Sequence, residues 1–349
     1  MKALKFVLGA LLLTFALTAS VYAQSISKVV VLGDSLSDIG NMYAATSGVL
    51  PPSPPYWQGR ASNGPVAVEY LAQNLGVPLK DYAYYGAKTG VGNIVPGLPG
   101  LTAELAKLSA AGPLDPDALY IVWGGPNDFW TVTGPADAAA AIGTAVSNLV
   151  TIIGTLHSLG ATRILVPNMP DLGRTPRFLA IGPQASALAT QISLGFNQLL
   201  KISLPPGVHY FDTFSFLSNV GSNPGRYGFV NVTEPCLTAS GVCANPDDYF
   251  SFDVVHPTTA VHKLLGNALY ESAALTVIID ACDSGVPNEL LSTGISYSDL
   301  IRQATFGVNT HGQFVSTVAS ILKELEKSGA ISGKQKGAIQ SCAAKGQIP

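Results

Sequence analysis

The stretch Lys28-Val-Val-Val-Leu-Gly-Asp-Ser-Leu-Ser-Asp38 runs from a short β-branched segment directly into a polar corner that begins with glycine. β-branched side chains favour strands, so the first half of the stretch predicts a strand. A serine at a glycine-flanked corner is presented at the carboxyl end of that strand, where its own N–H can also face a ligand. The stretch therefore makes Ser35 a candidate functional residue. An ordinary turn is the alternative interpretation.

Short apolar runs and longer helical patterns alternate along the rest of the chain. The apolar runs lie at residues 118–123, 163–166 and 208–211, and the helical patterns lie at residues 66–75, 135–159, 183–201 and 257–274. This alternation predicts an α/β fold with a parallel sheet that is covered by helices on both faces. Ligands bind outside the carboxyl ends of the strands in such folds, so we expect the functional residues there.

The charge composition argues against one class of partner. The chain has 19 Lys and Arg residues against 22 Asp and Glu residues, a formal net charge of −3. Nucleic-acid binding needs a basic excess to neutralise phosphates, so we expect no nucleic-acid partner. Only 12% of the residues are charged, where an ordinary soluble domain has about 25%. This low fraction raises the question of membrane association.

The N-terminal residues 1–23 have the pattern of a secretion signal peptide. Lys2 and Lys5 precede an apolar stretch, and Val21 and Ala23 occupy the small-residue positions of a cleavage site. A membrane anchor is the alternative, but the apolar stretch is shorter than the roughly 20 residues that a spanning helix needs. The sequence therefore predicts an exported protein, extracellular or periplasmic, with a bacterial-type signal.

A second apolar segment lies at residues 136–156. Asp137, Ser147 and Asn148 dilute it, and Gly134-Pro135 before it is typical of a helix start. We therefore predict a buried amphipathic helix here, and no membrane span once the signal is removed.

Four cysteines in an exported chain favour disulfides over a metal site, because no Cys-x-x-Cys or clustered histidine spacing is present. Cys236 and Cys243 lie close together in a loop-like stretch and are the first candidates for a local bridge. Cys282 and Cys342 then remain, and they bracket the last segment of the chain. Four cysteines allow three connectivities, between which the sequence does not choose, and free buried thiols are a further alternative.

The sequence changes character after Cys282. Thr310 can cap one helix, and Ser332 with Gln335 forms a capping box for a second. This tail predicts a small helical module with no chemistry of its own. The predicted organisation is a signal peptide (1–23), a main domain (24–281) and the helical C-terminal module (282–349).

A candidate base lies near the end of the main domain, in Asp253-Val-Val-His256-Pro257. Pro257 fits the first turn of a helix. The spacing of three lets the carboxylate of Asp253 accept the Nδ1–H of His256 while Nε2 faces a serine, which fixes the tautomer and supports the imidazolium. A helix-capping aspartate beside a surface histidine is the alternative.

Two further segments offer donors for an oxyanion. The segment at residues 81–87 ends a candidate strand at Gly86, whose N–H can approach a substrate oxygen closely. Asn127 follows the apolar strand that ends at Trp123, and its neutral amide suits a developing oxyanion. Taken separately, both residues also fit ordinary turns.

Together, the four segments resemble the GDSL family of the SGNH hydrolases. The matching residues are Ser35 in Gly-Asp-Ser-Leu, Gly86, Asn127 in Gly-x-Asn-Asp, and His256 in Asp-x-x-His-Pro. The resemblance implies a flavodoxin-like three-layer α/β/α sandwich. It implies that Ser35 is the nucleophile, His256 the base and Asp253 its partner. It also implies an oxyanion hole formed by the N–H groups of Ser35 and Gly86 and the Asn127 amide.

The implied activity is that of a secreted serine esterase or lipase that forms an acyl-enzyme and needs neither metal nor cofactor. Tyr85 departs from the family, where a second glycine often precedes the oxyanion residue, and we expect it to trim the pocket. Loops at 46–58 and 221–252 are expected to wall an acyl pocket. Their apolar residues suit a fatty acyl chain, whereas Tyr56, Trp57 and Tyr85 equally suit stacking on a sugar.

The substrate therefore stays open among small-molecule, lipid and acylated-carbohydrate esters. Acyl transfer to an alcohol and carbohydrate deacetylation use the same acyl-enzyme and are alternatives to simple hydrolysis. A non-catalytic exported binding protein is a remote alternative from another class. Composition also leaves peripheral lipid contact open.

Overall fold

A computed structural model describes residues 25–132 and 134–346. The predicted signal peptide at 1–23 lies outside these residues. The central sheet consists of parallel strands β1 (Val29–Gly33), β2 (Leu79–Asp81), β3 (Leu119–Trp123), β4 (Arg163–Pro167) and β5 (His209–Phe211). Their order is β2-β1-β3-β4-β5, the flavodoxin-like order, so the first strand lies inside the sheet with a neighbour on each side.

Helices flank the sheet on both faces. In chain order the helices of this part of the chain are α1 (Asn41–Ala45), α2 (Ala67–Leu75), α3 (Leu101–Ala110), α4 (Pro135–Ser158), α5 (Pro176–Ile181), α6 (Pro183–Ser203), α7 (Thr213–Ser222) and α8 (Thr259–Ala273). Alternate residues of β1 enter different cores: Val30 and Leu32 pack with α3, α4 and α6, while Val29 and Val31 pack with α2, α7 and α8. This confirms the predicted three-layer α/β/α fold.

Among the described residues, α4 is the one helix whose length and composition would allow it to cross a membrane. Leu149, Ile152 and Ile153 on one side of α4 are buried in the core beneath the sheet, while Thr151 and Gly154 are exposed. The helix is therefore amphipathic and packed against the domain, as the sequence predicts.

The connection from α7 to α8 consists of short, irregular elements. These are β6 (Asn231–Pro235), β7 (Leu237–Thr238), β8 (Gly241–Val242) and β9 (Tyr249–Ser251). β7 and β8 form a hairpin, and the Cys236–Cys243 disulfide closes its base. β9 leads directly into the segment that contains Asp253 and His256.

The C-terminal part has its own small core. It contains a β-hairpin of β10 (Thr276–Ile279) and β11 (Cys282–Pro287), followed by α9 (Tyr297–Ala304), α10 (His311–Lys327) and α11 (Gly333–Lys345). The helices α10 and α11 begin at the predicted caps, Thr310 and Ser332. A second disulfide joins Cys282 to Cys342. Cys236–Cys243 is the local bridge that the sequence analysis placed first, and Cys282–Cys342 joins the two cysteines that then remained.

The prediction of a purely helical module that begins at residue 282 is wrong in detail. The boundary falls inside the hairpin, because β10 pairs with β11 and its Val277 belongs to the C-terminal core. Helix α9 was also missed, since it is short and its first turn is largely polar. The C-terminal part therefore begins near Thr276 with a β-hairpin and contains three helices among the described residues.

Buried charges join the C-terminal part to the main sheet. Asp299 of α9 accepts hydrogen bonds from Ser272 Oγ of α8 at 2.8 Å and from Arg302 Nη1 at 2.6 Å. Its Oδ2 lies 2.7 Å from His209 Nε2 at the start of β5. Burial alone would raise the pKa of Asp299, but the hydrogen bond and charge of His209 and the charge of Arg302 hold it well below its usual range. This cluster fixes α9 against the sheet.

Replacing Arg302 with alanine is expected to lower the free energy of unfolding by about 3–5 kcal/mol, because it removes the guanidinium that pairs with the buried carboxylate of Asp299. Urea denaturation followed by circular dichroism measures this. The control is Lys327→Ala, which removes an exposed ion pair with Glu324 at 4.0 Å and should cost at most about 1 kcal/mol. A similarly small loss for Arg302→Ala would show that the buried cluster does not stabilise the fold.

Candidate active site

The serine corner follows β1 without an intervening loop. A Cβ on Gly33 would lie 2.9 Å from the Trp123 carbonyl oxygen, so the glycine lets the ends of β1 and β3 approach each other. The buried side chain of Ser35 then reaches the edge of the sheet at the carboxyl ends of the strands. Its Oγ lies 2.9 Å from Nε2 of His256, on a segment 221 residues further along the chain.

Behind the histidine, Asp253 is held by hydrogen bonds to both carboxylate oxygens. Oδ2 lies 2.8 Å from Nδ1 of His256 and accepts the Tyr56 hydroxyl at 2.7 Å. Oδ1 accepts the backbone N–H groups of Val255 and His256 at 2.8 and 2.7 Å. The structure thus brings Ser35, His256 and Asp253 into one continuous chain of hydrogen bonds.

The charges along this chain favour proton transfer to the imidazole. Burial alone would raise the pKa of Asp253, but the charge of His256 and hydrogen bonds from His256 and Tyr56 outweigh it and lower that pKa to about 2. Burial alone would lower the pKa of His256, but the charge and hydrogen bond of Asp253 outweigh it and raise that pKa. Asp253 therefore stays ionised at neutral pH, and His256 is a stronger base than an ordinary buried histidine.

One local prediction about this segment is wrong. Pro257 was expected in the first turn of a helix, whereas α8 begins at Thr259 with Thr258 as its N-cap. Pro257 instead forms a β-bridge with Ser251. Asp253 and His256 therefore lie in a turn between β9 and α8, where backbone N–H groups are free to bind the carboxylate.

The second expected oxyanion donor lies in a turn rather than in a strand. β2 ends at Asp81, five residues before Gly86, so the predicted strand that ends at Gly86 is wrong. Gly86 has a φ of 77°, and a side chain on it would collide with Asn93 and Ile94, so the turn requires glycine. Among the described residues, the N–H groups of Ser35 and Gly86 have no hydrogen-bond partner within the protein.

Buried carboxylates hold the Ser35 and Gly86 loops together. Asp38, just after the serine corner, accepts the Tyr85 N–H at 2.6 Å. Glu104 of α3 accepts the N–H groups of Gly33 at 2.9 Å and Tyr84 at 3.2 Å. Burial raises the pKa of both carboxyl groups. The sequence analysis missed Glu104, because its helix was not predicted.

The Asn127 side chain is oriented by its neighbours. Trp130 Nε1–H donates to Asn127 Oδ1 at 2.8 Å, and Asn127 Nδ2–H donates to the Ala87 carbonyl at 3.0 Å. The amide nitrogen has a second hydrogen, which is available for a substrate oxygen. Trp130 is itself fixed by Phe178, whose ring stacks on it at 6.1 Å, and by Arg177 at 4.7 Å from its ring centre. Trp130 was missed, although its spacing of three from Asn127 was a usable signal.

Substituting Asn127 with alanine is expected to lower kcat by about 100- to 1,000-fold, the usual cost of losing one oxyanion donor. KM should change little, because the donor acts mainly on the developing charge. Steady-state hydrolysis of p-nitrophenyl butyrate measures both constants. The control is Asn74→Ala, which removes an exposed amide bonded to Asn267. An Asn127→Ala enzyme within tenfold of the wild type would contradict the assigned role.

A cavity of about 310 Å³ opens over these groups. Ser35, Asn127 and His256 line it on one side. Apolar side chains form most of the remaining wall: Leu36, Ile94, Trp123, Leu172, Leu217, Phe250 and Leu265. Tyr85 also lines the cavity, with its ring 5.3 Å from that of His256, as expected of a residue that trims the pocket.

The two loops expected to wall the pocket behave differently. Phe250 and Ser251 of the 221–252 loop line the cavity, but no described lining residue comes from the 46–58 loop. The Tyr56 hydroxyl points to Asp253, and Trp57 lies under the Arg60 guanidinium at 4.9 Å. The expectation that this loop walls the pocket is therefore wrong, because its aromatic residues are occupied within the protein.

Comparisons with known proteins find a family model and sequence relatives that match this chain. The model of the GDSL-like lipase/acylhydrolase family matches residues 29–269. A thermolabile hemolysin from Vibrio parahaemolyticus is 29% identical over 287 residues, which cover 73% of this chain and 66% of that protein. A phosphatidylcholine-sterol acyltransferase from Aeromonas hydrophila is 32% identical over 233 residues, which cover 62% of this chain and 67% of that protein. The chain thus spans about two thirds of the length of these two relatives.

Among solved structures, a carbohydrate acetylesterase from Sinorhizobium meliloti has a TM-score of 0.39 and 18% identity, and the match covers 70% of this chain and 97% of that chain. A likeness at this level adds nothing to the choice of substrate. The family match and the sequence relatives support a carboxylic ester hydrolase.

Proposed function

This chain belongs to the GDSL-like lipase/acylhydrolase family, and we propose that it is an exported carboxylic ester hydrolase that works through an acyl-enzyme on Ser35. The observation that carries the proposal is the hydrogen-bonded chain Ser35–His256–Asp253 at the wall of an apolar cavity. A nucleophile, its base and the group that orients the base are the minimum set for acyl transfer through a serine.

The proposed reaction follows from these positions. Ser35 Oγ attacks the ester carbonyl carbon while His256 Nε2 takes the hydroxyl proton. The oxyanion is stabilised by the N–H groups of Ser35 and Gly86 and by the Asn127 amide. His256 then protonates the leaving alcohol, and water attacks the acyl-enzyme in a second round that releases the acid and restores Ser35.

Export is supported by the cysteines as well as by the N-terminal sequence. Disulfides form and persist in oxidising compartments, and Cys236–Cys243 and Cys282–Cys342 are both bonded. The experiment that tests export is expression of the full chain in a bacterium, followed by fractionation and N-terminal sequencing. A mature chain that starts at Gln24 outside the cytoplasm is expected, whereas an intact N-terminus in the cytoplasm would contradict export.

For the substrate, we propose an ester with a hydrocarbon acyl chain. The cavity wall beside Ser35 is mainly apolar, and burial of CH₂ groups against it favours longer chains. Of the three aromatic residues that suited sugar stacking, Tyr56 and Trp57 are engaged elsewhere, and Tyr85 lines the cavity. The curated relatives named a hemolysin and a phosphatidylcholine-sterol acyltransferase point in the same direction.

A rate series over p-nitrophenyl esters of two to sixteen carbons, measured beside acetate release from acetylated xylan, tests this substrate class. We expect kcat/KM to rise from the acetate to medium-chain esters, and acetate release from the polysaccharide to be slow. A maximum at the acetate together with fast deacetylation of xylan would instead identify a carbohydrate esterase.

Acyl transfer to an alcohol is a second candidate function, favoured by the relative named phosphatidylcholine-sterol acyltransferase, which is 32% identical. Both reactions share the acyl-enzyme and differ in whether water or another alcohol takes the acyl group. Product analysis with dioleoyl phosphatidylcholine vesicles that contain cholesterol separates them. Cholesteryl oleate as the main product would establish transfer, and free oleic acid alone would establish hydrolysis.

A further inference from the structure

We propose that Tyr56 is a positioning residue that holds the Asp253 carboxylate in the orientation from which it aligns His256 with Ser35. This inference rests on the proposed function of Ser35 and His256. Among the described residues, Tyr56 is the one side chain besides His256 that hydrogen-bonds to Asp253. It reaches the carboxylate from a loop 197 residues earlier in the chain.

Without the hydrogen bond from Tyr56, the orientation of the Asp253 carboxylate would be less firmly fixed. The two backbone donors fix Oδ1, so rotation of the carboxylate is controlled at Oδ2. There, the Tyr56 hydroxyl at 2.7 Å and the His256 Nδ1 at 2.8 Å share one oxygen. With the hydroxyl in place, each oxygen of Asp253 has two donors, and the imidazole has a single site to bind.

Tyr56 is held in place by its own surroundings. Its ring meets the ring of Phe252 edge to face, with centres 5.4 Å apart and planes at 83°. Its N–H donates to the Pro52 carbonyl at 3.2 Å. The following residues are anchored to α2, because Arg60 forms an ion pair with Glu69 at 2.7 Å. The hydroxyl is therefore aimed at Asp253 before any substrate binds.

The electrostatics make Tyr56 a permanent donor. Burial and the neighbouring charge of Asp253 raise the pKa of Tyr56 above its usual value, so the phenol keeps its proton throughout the working pH range. Its hydrogen bond in turn helps to hold the pKa of Asp253 at about 2. Loss of this bond leaves a more basic carboxylate, which binds the His256 imidazolium more strongly and raises the pKa of His256.

The test is Tyr56→Phe, which removes the hydroxyl and keeps the ring. We expect kcat for p-nitrophenyl butyrate to fall about 10-fold with little change in KM, since a hydrogen bond to a charged group is lost away from the substrate. His256 must be neutral to act as a base, so a higher pKa moves the acid limb of the kcat/KM profile to higher pH. A merely structural role would not move this limb.

Two comparisons make the result specific. Tyr227→Phe removes another partly buried hydroxyl, bonded to Asn219 Nδ2 at 2.8 Å, and should leave both kcat and the pH profile unchanged. In an Asp253→Ala background, Tyr56→Phe should have no further effect, because its acceptor is gone. Thermal unfolding confirms that each variant is folded.

Wild-type kcat and an unshifted acid limb for Tyr56→Phe would overturn the inference. If Tyr56→Phe lowered kcat by the same factor in the wild type and in the Asp253→Ala background, the inference would be overturned as well. The proposed function fails by a different result: if it were wrong, Ser35→Ala would remain fully active, whatever the effect of Tyr56→Phe.

Discussion

Replacing Ser35 with alanine is expected to abolish ester hydrolysis, with kcat for p-nitrophenyl butyrate falling by about 10³-fold or more. Without Oγ no acyl-enzyme forms, and only the oxyanion donors and substrate binding remain to accelerate direct attack by water. The fold should persist, because the Ser35 hydroxyl has one hydrogen-bond partner, His256 Nε2, among the described residues. Steady-state kinetics and circular dichroism measure the two quantities.

Ser37 provides a matched control for this substitution. It lies two residues along the same corner, it is fully buried, and its Oγ has no hydrogen-bond partner among the described residues. Ser37→Ala should therefore retain nearly all activity. If Ser35→Ala kept full activity, or if the Ser37 variant lost as much as the Ser35 variant, the nucleophile would have to be sought elsewhere.

Changing Asp253 to asparagine is expected to lower kcat by about 10⁴-fold, as loss of the orienting carboxylate does in serine hydrolases that use the same arrangement. The amide presents an N–H where the carboxylate accepts the Nδ1–H of His256, so the imidazole is held in the wrong tautomer. The loss of kcat is expected to be large because Oδ2 of Asp253 lies only 2.8 Å from Nδ1 of His256.

The pH dependence of the residual activity gives an independent check on Asp253. The carboxylate raises the pKa of His256. Its removal lowers that pKa, so the acid limb of kcat/KM should move to lower pH, opposite in sign to the Tyr56→Phe effect. Asp247→Asn, an exposed substitution in the preceding loop, should change neither rate nor profile. A rate within tenfold of the wild type for Asp253→Asn would show that His256 does not depend on this partner.

The sequence was sufficient for the layers of the fold but not for its shorter elements. Strands such as β1 are uniformly apolar, and α4 and α6 are long helices with a clear apolar periodicity. Their sequence patterns therefore predict them whatever the tertiary packing around them. Strand β2 has three residues and only partial burial, and the strand predicted there was displaced towards Gly86. Helix α3 places Glu104 on its buried face, which breaks the apolar periodicity that would have revealed it.

The candidate site shows a similar division. Ser35, Asn127 and His256 stand next to recognisable strand ends and turns, so sequence position and residue type were enough to place them together. No such signal marked Tyr56, because its partner Asp253 is far away in the sequence, and the composition of its loop was equally consistent with a pocket wall. Residues that act through others depend on long-range packing, which a single sequence does not reveal.

Covalent labelling with diethyl p-nitrophenyl phosphate probes the nucleophile itself. The activated oxygen attacks phosphorus, p-nitrophenolate leaves, and the proton passes to His256, which leaves a stable diethylphosphoryl ester on the protein. Peptide mass spectrometry should find one label per chain, on Ser35, in proportion to the activity lost, and none in Ser35→Ala. A label on another residue that accompanies the loss of activity, or full activity with Ser35 completely labelled, would contradict the assignment of Ser35 as the nucleophile.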